Sequence, residues 1–518
     1  MKRLAMAGLA LLVCAAVKPI TPIVRGSPDF TPEIPRTWDH DALDTLEVPL
    51  ANPIGSPKHP SADYYYRIPV APIYKTYPVY APGREPAGYF DRLAQQAPEI
   101  VWDDAGHRPP LETEADWIRA GEIVFDAPVK SGVISVENTR DPGWWAKVGW
   151  KPAADGTLPI QRYVIREKGT VTLEGLACGQ CHTRLMPDGR ILKGAQGNYA
   201  IGNANNVRLR EAARNPSTAE PAWQQQRLLL RGIFAVPWLS PDPLSRLDAM
   251  SFPEYVELQG SVPAGVVPRH RGSPFVPIQV PDLIGVKDRR FLDRTGLQLH
   301  RSIGDLMRYA AMNRGIMDGG FALLNHNGFF PGDAPRFTRL PDPSTRSRYS
   351  DEQLYALARY LYSLQPPTNP NPLDEVAMRG QRVFQREGCA TCHTPPLYTS
   401  NKLTPVDGFT IPEDHRQKYD ILPLSVGTDP DLALKTRLGT GYYKVPSLKG
   451  VWYRSMFGHN GWCATLEDWF DPRRVRDDYV PTGWKPHDRS TYAVKGHVFG
   501  LSLADEDRRA LIAFLKTL

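Results

Sequence analysis

The pentapeptide Cys-x-x-Cys-His occurs twice, as Cys178-Gly179-Gln180-Cys181-His182 and as Cys389-Ala390-Thr391-Cys392-His393. Two thiols at this spacing can each add to one vinyl group of a haem while the adjacent imidazole binds the iron from the proximal side. With six cysteines and twelve histidines in 518 residues, such a motif arises by chance about 0.002 times, so a pair is not accidental. Tetrahedral zinc is the sharper rival, but it needs the two thiol pairs brought together across more than two hundred residues. A disulfide or redox pair is the third reading. The motifs predict two covalently bound haem c groups, and a chain that must enclose both.

Length predicts roughly three to four units of about 150 residues. The 51 prolines and 42 glycines argue for long irregular connections clamped around small helical cores. Residues 1–17, a Met1-Lys2-Arg3 head followed by an apolar run from Leu4 to Val17, read as a signal peptide or N-terminal anchor, too short for a comfortable membrane span. Cleavage after Ala16, lipidation of Cys14 and an uncleaved tether are the three outcomes, and only the N-terminus offers a membrane contact. Export to the periplasm or beyond fits thiol usage, since four of the five remaining cysteines are consumed by the motifs. Cys463 is left over and reads as a small buried hydrophobe. A net charge of +6 is mild for this length and makes no case for nucleic acid.

Four landmarks recur in the same order, the mark of an internal duplication. Gly121-x-x-Val124-Phe125 matches Gly380-x-x-Val383-Phe384. The haem motifs follow. Val280-Pro281-Asp282-Leu283 is echoed by Val445-Pro446-Ser447-Leu448, and Asp351-Glu352 through Leu364 aligns without a gap on Asp505-Glu506 through Leu518. Leu354, Leu357, Leu361 and Leu364 recur at helical steps behind a Ser350-x-x-Gln353 capping box. Pro366 to Pro372 is then a stiff linker between a first cytochrome c domain, residues 114–366 with large insertions, and a second, residues 372–518. Residues 18–113, rich in Pro and Tyr, are expected to form an irregular wrap. The fold class predicted is mainly α, with minor β hairpins.

The order of the two motifs, with Val445-Pro446-Ser447-Leu448 running into Phe457-Gly458-His459-Asn460-Gly461 and Thr465-Leu466-Glu467, resembles the bacterial di-haem cytochrome c peroxidase superfamily over roughly residues 115–518. Its length, its insertions and the closing Lys495-Gly496-His497-Val498-Phe499-Gly500 look closest to the rubber oxygenase branch. The resemblance implies haem binding through Cys178, Cys181, Cys389 and Cys392, proximal iron ligands His182 and His393, and His459 hydrogen-bonded near the second haem and its propionates. It implies that the first haem meets a small oxidant, peroxide or dioxygen, and that a redox protein supplies electrons.

The departures are informative. The methionine that commonly completes the second haem is missing: none follows Met456, and Arg473-Arg474 stands in its neighbourhood. His497 is the candidate sixth ligand, with His487 or an open site as alternatives. The threonine and proline that hold an interdomain calcium are absent, with Arg454 and Met456 near those places, so calcium is not carried over. Phe291-Leu292-Asp293 stands where an aromatic-Asp-Gly pattern is usual, and no bridging tryptophan is evident; Trp238 reads as a core residue. For a distal acid, base or cation the available groups are His300, Arg301, Arg308 and Asp318, among Met312, Met317, Gly319 and Gly320, and each reads more simply as surface or core. No catalytic residue is therefore assigned. Phe321, Phe329 and Phe330 suit an apolar oxygenase pocket or any core. Three functions remain open: a peroxidase, a dioxygenase cleaving C=C bonds, and a non-enzymatic electron carrier.

Overall fold

The computed structural model describes residues 30–39, 42, 45–52, 62–130, 134–268, 273–314 and 342–518. The N-terminal 17 residues lie outside them, as do Met317, Asp318, Gly319, Gly320, Phe321, Phe329 and Phe330. In chain order the first half carries β1 (Thr76–Tyr80), α1 (Glu114–Phe125), β2 (Pro128–Lys130), β3 (Thr157–Glu167) and β4 (Thr170–Leu176). It continues with α2 (Asn203–Arg214), α3 (Pro216–Phe234), α4 (Phe252–Gly260), α5 (Ile303–Arg314) and α6 (Asp351–Ser363). The second half adds α7 (Glu375–Arg386), β5 (Leu403–Pro405), β6 (Tyr442–Lys444) and α8 (Asp505–Lys516). Among the described residues no helix is long and apolar enough to cross a membrane.

Two helix crossings organise the halves. Thr113 and Asp116 close a capping box on α1, and Ser350 and Gln353 close another on α6, so backbone donors at both helix starts are satisfied locally. Where α1 crosses α6, Gly121 lies against the Ala356 carbonyl; a methyl group there would overlap that oxygen. Phe125 and Tyr360 then meet at 5.3 Å between ring centres. In the second half Gly380 of α7 lies in the same way on the Ala510 carbonyl of α8, and Phe384 meets Phe514 at 5.4 Å. The residues that match in the duplicated sequence therefore occupy matching places in two crossings.

A mainly helical reading omits the four-stranded antiparallel sheet of order β1-β3-β4-β2. Its centre is the long hairpin of β3 and β4, paired from Gln161 with Gly175 to Glu167 with Thr170. β1 belongs to the segment expected to be an irregular wrap, yet it pairs with β3 (Tyr77 opposite Tyr163), and that segment also holds helical turns at Ala62–Arg67 and Tyr89–Gln95. Burial of Tyr163, Ile165, Leu158 and Val79 against Trp144, Trp145 and Trp150 gives the sheet its own apolar core. Helices α2, α3 and α4 form a further cluster around Trp223, which stacks on Phe252 at 5.6 Å. The Pro366–Pro372 stretch carries no helix or strand, and Asn369 and Asn371 donate to the Lys516 carbonyl at the end of α8.

Candidate haem sites

The two Cys-x-x-Cys-His segments adopt one turn. In the first, the Cys181 and His182 amides donate to the Cys178 carbonyl at 3.2 and 3.0 Å; in the second, Cys392 and His393 donate to Cys389 at 3.3 and 2.9 Å. Different elements deliver them. β4 ends at Leu176 and drops the first motif under α1, where the Cys178 and Gly179 amides donate to the Phe125 carbonyl. The second motif follows α7 through Gly388, whose φ of 74° turns the chain into a short 3-10 helix. None of the five described cysteines takes part in a disulfide. Burial, with a smaller push from Glu387, raises Cys389 to about 11, and burial raises Cys392 as well. These thiols therefore lack the lowered pKa that a redox pair needs.

Beside the second motif lies a cavity of about 240 Å³ whose wall includes Cys389, Cys392, His393, Phe384, Trp469 and His497. His393 Nδ1 donates to the Tyr398 carbonyl at 3.1 Å, which leaves the Nε2 lone pair for a metal. The ring of His497 faces that of His393 with centres 6.3 Å apart and planes at 60°. Two imidazoles on opposite sides of one metal, each nitrogen about 2 Å from it, have ring centres about 6 Å apart. Burial, followed by His393 and Arg474, lowers His497 to about 3, and burial lowers His393 too, so both rings are held neutral, the ligating form.

His497 is presented by a constrained loop. Its φ is +43°, a rare value for a residue with a side chain, and Gly496 is packed so closely on Gly427 that no Cβ would fit. The guanidinium of Arg474, fully buried, donates to the carbonyls of Trp469, Val494, Gly496 and His497. The arginine that stands where the resemblance would place a methionine is therefore the brace of the histidine loop.

His459 lines the same cavity. Its ring stacks on Tyr443 at 4.2 Å with Nε2 3.1 Å from the Tyr443 hydroxyl, and Trp462 meets its edge at 4.5 Å. Burial, then Arg294, pushes it to about 3. His487 is absent from the cavity wall and sits instead near Glu254 at the start of α4. Met456 lines the cavity too.

Of the groups considered for a distal role, Asp318 lies outside the described residues, and His300, Arg301 and Arg308 are spent on structure. His300 uses both ring nitrogens, one on the Arg289 carbonyl and one on the Tyr362 hydroxyl, each at 2.7 Å. Arg301 and Arg308 both pair with buried Asp305, and Arg308 reaches Asp39 as well. Trp238 packs with Leu50, Leu297 and Leu438 beneath Arg437, and Met312 packs with Trp38 and Tyr65. Phe291 and Leu292 form a buried two-residue strand. Cys463 is a buried thiol that burial pushes up to about 12, in keeping with an inert role.

No family model and no curated protein matches the chain. Among solved structures, hydrazine synthase of Kuenenia stuttgartiensis is 17% identical, over 50% of this chain and 78% of that one, with a TM-score of 0.28. A MauG-like protein associated with microbial copper homeostasis is 18% identical over 32% of this chain and 56% of its own, with a TM-score of 0.21. The match thus spans little more than half of the MauG-like chain. Likeness at this level leaves function to be argued from the residues of the site.

Proposed function

We propose that the chain is an exported di-haem c-type oxidoreductase that reduces peroxide at the first haem and stores or relays electrons at the second. The observation that carries this reading is the pair of imidazoles, His393 and His497, facing each other across a cavity walled by Cys389 and Cys392. Cys178 and Cys181 would hold the first haem by thioethers with His182 on its iron, and Cys389 and Cys392 the second, with His393 and His497 on either side. When bound, such groups supply one-electron chemistry and, at an open axial position, binding of a small oxidant.

The polypeptide contributes placement. Both motifs fold into the same backbone turn, Cys389, Cys392 and His393 of the second line one cavity, and Tyr398 fixes the His393 tautomer through its carbonyl. The apolar wall of Phe384, Trp469, Phe470 and Leu511 excludes water from the second site. His393 and His497 would hold the second haem from both sides, which would leave binding of a small oxidant to the first. A redox protein is the proposed electron source.

The test is direct. A pyridine haemochrome assay on protein from a host competent in cytochrome maturation should return two haems per chain. The reduced protein should bind one equivalent of carbon monoxide and consume hydrogen peroxide with a reduced donor. Oxygen uptake with cleavage of an alkene in place of peroxide consumption would identify a rubber oxygenase-type dioxygenase. Failure to bind carbon monoxide would leave an electron carrier.

A further inference from the structure

Arg289, Arg294, Lys444 and Arg454 converge on a small polar cavity of about 30 Å³. Arg294, Lys444 and Arg454 also line the larger cavity of Cys389, His393 and His497, so these cations stand in a shared wall. Among the described residues none of the four forms an ion pair with a carboxylate, and the hydrogen bonds they donate from their side chains go to backbone carbonyls. Arg289 donates to Asp282 and Ile284, Arg294 to Gln279, Lys444 to Phe291 at 3.3 Å, and Arg454 to Ser447 and Lys449. Arg454 Nε is buried with no hydrogen-bond partner.

Two carboxylates lie nearby, and both are engaged. Asp282 accepts from the Tyr453 hydroxyl at 2.7 Å and from the Ile284 amide, and Asp293 accepts from the Arg294 amide. Four cations against two carboxylates leave a surplus of two positive charges in an enclosed place. Burial and mutual repulsion push Lys444 well below its ordinary value and Arg294 to about 9. Like charges gathered without counter-ions are costly to bury, and an anion with two negative charges removes the cost.

We propose that Arg289, Arg294, Lys444 and Arg454 form a seat for a dianion, and that its occupant is the pair of propionates of the haem attached to Cys389 and Cys392. This rests on the di-haem reading. The seat adjoins the larger cavity, whose wall holds no lysine or arginine besides Arg294, Lys444 and Arg454, and the ligand chemistry is that of two carboxylates. A free phosphate would satisfy the same donors. Two cations come from the first half of the chain and two from the second, so an occupied seat also joins the halves.

The test is redox titration of the holoprotein, followed in the visible spectrum. Lys444→Met and Arg294→Gln should each retain two thioether-linked haems and lower the midpoint potential of the low-spin, His497-ligated haem, because a cation favours the reduced iron. Lys444→Arg should keep the wild-type potential, and so should Arg473→Gln, a surface arginine paired with Asp471. Added inorganic phosphate should leave wild-type potentials unchanged. The seat is refuted if the charge-removing variants carry two haems at wild-type potentials. A phosphate-dependent shift in wild type that the variants lose would overturn the propionate assignment in favour of a free anion. Fewer than two haems in the wild type would instead sink the di-haem reading, and this proposal with it.

Discussion

Arg474 shows how one residue can set the course of a loop. Its side chain is wholly buried and its donors are spent on four carbonyls, three of them in the loop that ends at His497. Arg474→Met fills similar volume but leaves those oxygens without a donor, a loss of about 3 kcal/mol. The expected result is a less stable protein in urea whose holoform, on the proposed di-haem reading, binds more carbon monoxide than the parent; an unchanged carbon monoxide stoichiometry would refute the brace. A second expectation concerns acid. His459 is held near 3 by burial, against about 6.5 in an unfolded chain, so the unfolded state binds more protons between those values. Stability is therefore full above about pH 6.5 and declines as pH falls toward 3, at up to about 1.4 kcal/mol per unit for such a histidine. His459→Gln should flatten that decline by one proton's worth in denaturation series run at several pH values. At this scale the sequence was legible where chemistry repeats, in the motif residues; His497 was named because no methionine follows Met456, and its ring lies 6.3 Å from that of His393. Arg474 was visible only as a departure, because nothing in a side chain's identity tells which carbonyls it will reach.

The glycine landmarks and the closing helices were legible as matched pieces of sequence, and the structure crosses them because each crossing needs a small residue against a carbonyl. Gly121→Ala or Gly380→Ala would force the helices apart, at about 1–3 kcal/mol each, read as a lower urea midpoint at constant m-value. Gly83→Ala, at a position with open space around it but a φ of +77°, should cost less, since only the backbone and no packed neighbour opposes it. The β3–β4 hairpin escaped a helix-centred reading for a physical reason. Along β3, seven of eleven positions are buried, including Leu158, Pro159, Ile160 and Gln161 in succession, so the strand is covered on both faces and loses the alternation that marks a half-exposed strand. The turn did leave a signal: Lys168-Gly169 sits between two β-branched runs, and Gly169 has the φ of +85° that such a turn requires.

Over the whole molecule, the two halves on either side of the Pro366–Pro372 stretch are woven together by residues 279–299. Within that stretch the Gln279 amide donates to the His459 carbonyl, and the Arg294 carbonyl accepts from the Lys444 amide. The Thr295 hydroxyl donates to the Leu438 carbonyl, the Thr440 hydroxyl donates to the Thr295 carbonyl, and Asn401 reaches the Asp288 carbonyl. A duplicated sequence invites the expectation of two independent lobes, since it records descent of each unit and says nothing of strands exchanged between them afterwards. With β5 and β6 leaning on a segment of the first half, residues 372–518 lack part of their own core and two of the four seat cations. Calorimetry of the holoprotein should accordingly give one cooperative transition with equal van't Hoff and calorimetric enthalpies, in place of two. Tyr453→Phe removes the buried hydroxyl donated to Asp282 across the junction. It should lower that single transition by about 1–3 kcal/mol without splitting it, because the backbone bonds of residues 279–299 remain; two resolved transitions in either protein would show that the halves fold separately.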